Sequence, residues 1–87
     1  MDKIKTNIIM KTLGERRVRV DFNPAGSEKD YVDAIKLRSA DLIDLVDKAA
    51  SNPKWDDETV KEWLRLKVLA LTYYETAAMY AVKAATV

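Results

Sequence analysis

The sequence contains no cysteine and no histidine. The first absence excludes a disulfide framework and thiolate chemistry. The second removes the commonest metal ligand and the commonest general base. Glycine occurs only at Gly14 and Gly26. With two glycines, neither a P-loop nor a glycine-rich dinucleotide loop can be built, and no nucleophile elbow is present. Long apolar runs are also missing. The longest weakly charged stretch, residues 68–82, is interrupted by Glu75 and is too short to span a bilayer. Residues 1–15 carry Asp2, Lys3, Lys5, Lys11 and Glu15 among single apolar residues, which is unlike a secretory signal. What is present is an 87-residue chain that is 48% apolar with a net charge of only +1, a balance that argues against disorder. That length implies one domain, residues 1–87, whose lone core would be thin. The composition points to a small protein of a reducing compartment, expected to oligomerise and not to be an enzyme.

Charge is unevenly placed. Residues 1–29 carry an excess of +3, residues 30–62 an excess of −4, and residues 63–87 an excess of +2. No segment is basic enough for duplex DNA. The basic first third is compatible with a small anionic ligand or with ordinary solvated surface.

Two clusters divide the chain: Asn23-Pro24-Ala25-Gly26-Ser27 and Ser51-Asn52-Pro53. Both favour turns, since Pro fixes φ, Gly permits positive φ, and Asn and Ser bond nearby backbone. The first segment, residues 1–26, is read as a small helix or an extended strand. Ile4, Ile8 and Ile9 have helical spacing, and Gly14 is expected to end that helix. Residues 17–22 then alternate strictly, with Val18, Val20 and Phe22 on one side and Arg17, Arg19 and Asp21 on the other. An isolated strand is unstable and must lie on something or pair between chains.

The second segment predicts a helix over residues 27–50, with Ser27 as N-cap. Val32, Ile35, Ser39, Leu42, Val46 and Ala49 form its expected core stripe, widened by Ile43 and Ala50, while Leu37 and Leu45 lie on a second face. Asp30, Asp33, Asp41, Asp44 and Asp47 carry its polar side. The third segment predicts a helix over residues 56–85 capped by Asp56. Its later half is apolar nearly all round, and such a helix must be buried on every side. One partner helix covers one side only. The fold expected is therefore all-α: an antiparallel two-helix hairpin with a short N-terminal segment, assembling into a symmetric oligomer.

Little here suits catalysis. The aspartates of the first long helix read as a solvated face, and an oxygen-ligand metal site from Asp41, Asp44 and Glu75 lacks the spacing of a calcium loop. No metal and no cofactor is expected. Three features bear on binding. Arg17 and Arg19 on one side of an extended segment offer forked donors to a phosphate, and Phe22, the only phenylalanine, either stacks on a base or staples the helix entry. Lys36, with Arg38, sits at the edge of the core stripe, where a lysine either snorkels or reaches into a pocket between subunits. Glu75 and Lys83 lie two turns apart in the apolar helix, either as an inter-chain salt bridge that fixes register or with Lys83 lining a ligand cavity.

These residues carry a resemblance. Residues 17–24, Ile35-Lys36, Leu42-Ile43-Asp44 and the ending from Tyr74 to Thr86 resemble small phage proteins of the anti-CBASS sponge type, whose hairpin is shared with sponges that oppose Thoeris defence. The resemblance covers roughly residues 13–50 and 68–87; residues 1–12 and 51–66 match nothing recognised. It implies a helical hairpin that assembles, typically into a homohexamer, in the host bacterial cytoplasm. It implies sequestration, without cleavage, of cyclic di- or trinucleotide immune signals such as 3′,3′-cGAMP, or of cyclic ADP-ribose, so that the effector stays silent. In the cyclic dinucleotide pocket an aromatic residue before the first helix stacks on a base and a lysine on that helix meets the phosphates. Phe22, with its neighbour Asn23, and Lys36 occupy those positions. Arg38 and Ser39 are weaker carry-overs, and Arg17, Arg19 and Lys83 are candidates for further phosphate contacts. The other readings are a structural helical module that docks on a protein partner without any nucleotide, and a hydrolase of the same signals, which the missing metal ligands disfavour.

Overall fold

The computed structural model describes residues 11–21 and 29–87. Among them the chain is all-helical: α1 (Leu13–Arg17), α2 (Lys29–Lys48) and α3 (Asp57–Ala85). The expected helix around Ile4, Ile8 and Ile9, the Ser27 cap, Phe22 and Asn23 lie outside the described residues.

Where the alternating pattern suggested an extended segment over residues 17–22, the chain instead ends one helix and turns. Gly14, expected to stop a helix, lies inside α1. The cause is a capping box. The Thr12 hydroxyl accepts from the Glu15 N–H at 3.1 Å, and the Glu15 carboxylate accepts from the Thr12 N–H at 2.9 Å. The helix then closes through a Schellman arrangement. The Val20 N–H donates to the Glu15 carbonyl at 3.1 Å and the Arg19 N–H to the Arg16 carbonyl at 3.2 Å. Arg19 takes the left-handed position of that motif with φ 57°, a place usually given to glycine. Val18 and Val20 still face the core together, Val18 buried and Val20 partly so. A turn has thus delivered the same apolar pair that a strand would have.

Gly14 fixes how closely α1 approaches α2. A Cβ added to it would lie 2.7–2.8 Å from backbone atoms of Ala40, inside any real contact distance. The Gly14 N–H donates to Asp44 Oδ1 at 2.7 Å. Asp44 is thus a cap for α1 and not part of a purely solvated acidic face.

α2 is covered from two sides, by α1 with its turn and by α3, and this rotates its buried stripe. The buried residues are Val32, Lys36, Ala40 and Ile43. Of the expected stripe, Val32 is buried and Val46 packs on the core, but Leu42 is 45% exposed and Ala49 lies beyond the helix end. Ile43, expected only to widen the stripe, is fully buried at its centre. The periodicity anticipated a single partner, whereas a middle helix with two partners centres its burial between them. The core is Val18, Ala40, Ile43, Leu71 and Ala78, with Leu13, Val20, Val46 and Tyr74 packed against it.

The hairpin is asymmetric, with 20 residues in α2 and 29 in α3. Asp56 caps α3 by accepting from the Thr59 N–H at 2.8 Å, and the Thr59 side chain together with that N–H holds its carboxyl below the usual carboxylate range. Lys67 marks where α2 stops. Its ammonium donates to the carbonyls of Asp47 at 2.8 Å and Ala49 at 3.0 Å, a cation set on the negative end of α2, and it lies 5.1 Å from the Trp63 ring centre. The stretch of α3 before Lys67 therefore extends past the end of α2 by about 15 Å of helix. Trp55, 6.3 Å from Trp63, packs the connecting loop onto it.

Along α3 only Leu71 and Ala78 are buried. Leu66, Val68, Tyr73, Met79 and Tyr80 are each about half or more exposed within one chain.

Candidate functional site

The turn after α1, the buried face of α2 and the C-terminal half of α3 enclose a cavity of about 500 Å³, within the range usual for small-ligand pockets. Arg16, Arg17, Arg19, Lys36 and Lys83 line it, with Glu75 the one carboxylate among the described residues. The chain as a whole is nearly neutral, so this is a local concentration of positive charge. Val18, Ala78, Met79 and Val82 give the pocket an apolar wall. Cations beside an apolar surface suit a ligand that carries both phosphates and flat aromatic groups.

Each cation is placed by a different local device. Arg16 and Arg17 close α1, where positive charge suits the helix C-terminus. Arg17 Nε lies 3.7 Å from Glu75 Oε1, an ion pair between partly exposed side chains. Arg19 reaches the pocket from the left-handed turn position. A non-glycine residue there costs about 1–2 kcal/mol, and such strain is commonly kept where a side chain is needed. Lys83 stands on α3 with its ammonium 5.6 Å from the Tyr80 ring centre.

Lys36 differs most from its expected place. It sits in the middle of the buried stripe of α2, 5% exposed. Its Nζ donates to the Arg19 carbonyl at 2.8 Å. Burial holds its pKa below the usual lysine value; the nearby Arg19 charge adds to this, and Asp33 opposes it. Lys36 is therefore both a floor of the pocket and a tie that holds the turn on α2.

Of the residues expected to meet a ligand, Arg17, Arg19, Lys36 and Lys83 come together here. Arg38 is exposed and Ser39 half-buried on α2, and neither lines this pocket. Glu75 finds its ion-pair partner in Arg17 of the same chain rather than needing one across an interface. Arg16 and Thr76 line the pocket and were not anticipated. Reading residues 17–22 as a strand set Arg16 outside the alternating segment. The Thr12-to-Glu15 capping-box spacing was the signal that would have placed it on a helix. Of the three carboxylates weighed as a metal site, Asp44 accepts from the Gly14 N–H and Glu75 pairs with Arg17. Among the described residues no helix is long and apolar enough to cross a membrane.

The family model described as Acb2/Tad1, hairpin domain, matches residues 14–86, nearly the whole chain. The chain belongs to the Acb2/Tad1 hairpin-domain family. Members of this family are sponge-type anti-defence proteins that bind signals rather than convert them. The match runs from within α1 to the end of α3 and includes every residue that lines the pocket, from Arg16 to Lys83. Comparison with curated proteins and with solved structures gave no match.

Proposed function

We propose that this protein sequesters cyclic oligonucleotide immune signals, such as 3′,3′-cGAMP, and so blocks CBASS effector activation in the host bacterial cytoplasm. The observation that carries this reading is the gathering of Arg16, Arg17, Arg19, Lys36 and Lys83 around one apolar-walled pocket in a chain of the Acb2/Tad1 family. Arginines fork onto phosphate oxygens, and a base rests on the apolar wall. Phe22, three residues after Arg19 in sequence, is the residue proposed to stack on a base, with Asn23 beside it in sequence as a further ligand contact.

Sequestration demands tight binding without turnover. At nanomolar affinity the contacts must yield about 12 kcal/mol. One stacked base supplies roughly 1–3 kcal/mol, so several cations and a second protomer are needed. The exposed apolar face of α3 suits assembly into a homohexamer, which completes the site with partner residues.

The test is calorimetric titration of the full chain with 3′,3′-cGAMP in metal-free buffer, followed by recovery of the nucleotide after heating. Submicromolar binding near one ligand per two chains, with the nucleotide recovered intact, supports the reading. Cleavage of the nucleotide overturns it in favour of a hydrolase. No binding of this ligand, of a cyclic trinucleotide or of cyclic ADP-ribose overturns it in favour of a docking module.

A further inference from the structure

The basic pocket holds one group of opposite character. Glu75 presents a carboxylate that is about half exposed and 3.7 Å from Arg17 Nε, farther than a hydrogen bond. Beside it, the Thr76 hydroxyl donates its proton to the Thr72 carbonyl at 2.9 Å. Its remaining capacity is to accept. The anionic and neutral polar side chains that α3 turns to the pocket are thus acceptors, next to the apolar wall of Ala78, Met79 and Val82. The cations serve phosphates; the acceptors must serve something that donates.

Nucleobases differ in this respect. Guanine offers two adjacent donors, N1–H and the N2 amino group, spaced for the two oxygens of one carboxylate. Adenine and cytosine place a ring acceptor next to their amino group, and uracil sets one donor between two carbonyls. A carboxylate facing any of these three meets a lone pair. Charge-assisted, paired hydrogen bonds are the strong ones, and a site built to bond donors rejects an analogue that lacks them.

We propose that Glu75 is a specificity-determining residue that selects a guanine base in the pocket, so that guanine-bearing cyclic oligonucleotides are preferred over adenine-only ones. This rests on the reading of the pocket as a cyclic-oligonucleotide site. Arg17 aims the carboxylate from 3.7 Å without a bond short enough to occupy both of its oxygens.

The experiment titrates the full-length protein and its Glu75→Gln variant with cyclic di-GMP, cyclic di-AMP and cyclic di-IMP, which lacks the N2 amino group. The wild type is expected to bind cyclic di-GMP at least about tenfold more tightly than cyclic di-AMP, with cyclic di-IMP between them. Glu75→Gln is expected to bring the three within about threefold of one another, with cyclic di-AMP binding unchanged or tighter because a negative charge has left the pocket. An equal weakening of all three ligands would assign Glu75 a purely structural role through Arg17 and overturn the proposal. A wild type without base preference would overturn it too, while leaving the site reading standing. A wild type that binds none of the three overturns the proposal, and the site reading falls with it only when 3′,3′-cGAMP, a cyclic trinucleotide and cyclic ADP-ribose also fail to bind.

Discussion

Lys36 Nζ donates to the carbonyl oxygen of Arg19 at 2.8 Å, across 17 residues of sequence. This bond joins the buried face of α2 to the turn that carries Arg19 into the pocket. The same ammonium is the charge at the pocket floor. Binding and stability are therefore coupled at this residue, and its titration reads the coupling out.

Because burial lowers the Lys36 pKa below 10.5 in the folded chain, the unfolded chain holds its proton to higher pH. Stability then rises with pH between the lowered folded value and 10.5. Lysines whose pKa is raised, Lys11 beside Asp21 and Lys29 beside Asp33, work in the opposite sense. A comparison with Lys36→Met cancels them. Relative to that variant, the wild type is expected to gain stability from neutral pH towards 10.5 in denaturant unfolding. A constant difference over that window would mean that the ammonium is hydrated in the folded state. Over the same window the wild type is expected to lose affinity for an anionic ligand as the floor charge is neutralised.

Arg19 places a side chain at a backbone position that glycine adopts without strain. Two variants separate backbone from charge. Arg19→Ala removes the cation and keeps the strain; Arg19→Gly removes both. Arg19→Gly is expected to be about 1 kcal/mol more stable than Arg19→Ala, while both weaken binding of a cyclic dinucleotide to the same degree. Equal stabilities would show that the turn relaxes out of the left-handed region at no cost. Unequal affinities would show that the backbone, and not the guanidinium, is what the pocket uses.

Gly14 was legible in the sequence as a punctuation mark but was assigned the wrong work. Its hydrogen atom faces the Ala40 backbone, and no local pattern records a contact made 26 residues away. Gly14→Ala forces α1 off α2 and lengthens the Gly14-to-Asp44 hydrogen bond. A loss of about 2–3 kcal/mol is expected by chemical denaturation, as for overpacking. A loss under about 0.5 kcal/mol, the size of an ordinary surface change, would mean that α1 is not seated on Ala40.

How much the sequence revealed follows the same division. The two long helices were readable because their periodicity and the Asp56 cap are local. The basic residues of the site were readable by type: Arg17, Arg19, Lys36 and Lys83 line one pocket. Their joint placement was not readable, because it depends on a turn whose valines, Val18 and Val20, alternate as a strand's would. Lys36 was taken for the edge of an apolar stripe since a lone lysine at the centre of a core face contradicts hydropathy. The carbonyl of Arg19, delivered by that turn, offsets the cost of its burial. The capping box at Thr12 and Glu15 was in plain sight and outweighs six residues of alternation.

The exposed face of α3 leads to the last prediction. Tyr73 and Tyr80 are 65% and 61% exposed, one heptad apart and therefore on one face of the helix. Leu71 and Ala78, the buried pair, lie roughly 200° around from them at 100° per residue. The two seams thus divide the helix, one against α2 and one open. If the open seam joins copies of this chain, a charge at its centre must break the assembly and spare the hairpin. Tyr73→Glu is expected to reduce the mass seen by light scattering to that of a smaller species with unchanged far-ultraviolet circular dichroism. Ligand affinity should fall in parallel, because a site completed by a partner loses that partner's contacts. An intact assembly in Tyr73→Glu would move the interface to another face of the hairpin. A monomeric wild type that still binds a cyclic dinucleotide with submicromolar affinity would show that the contacts of one chain suffice, against the roughly 12 kcal/mol that argues for two at nanomolar affinity.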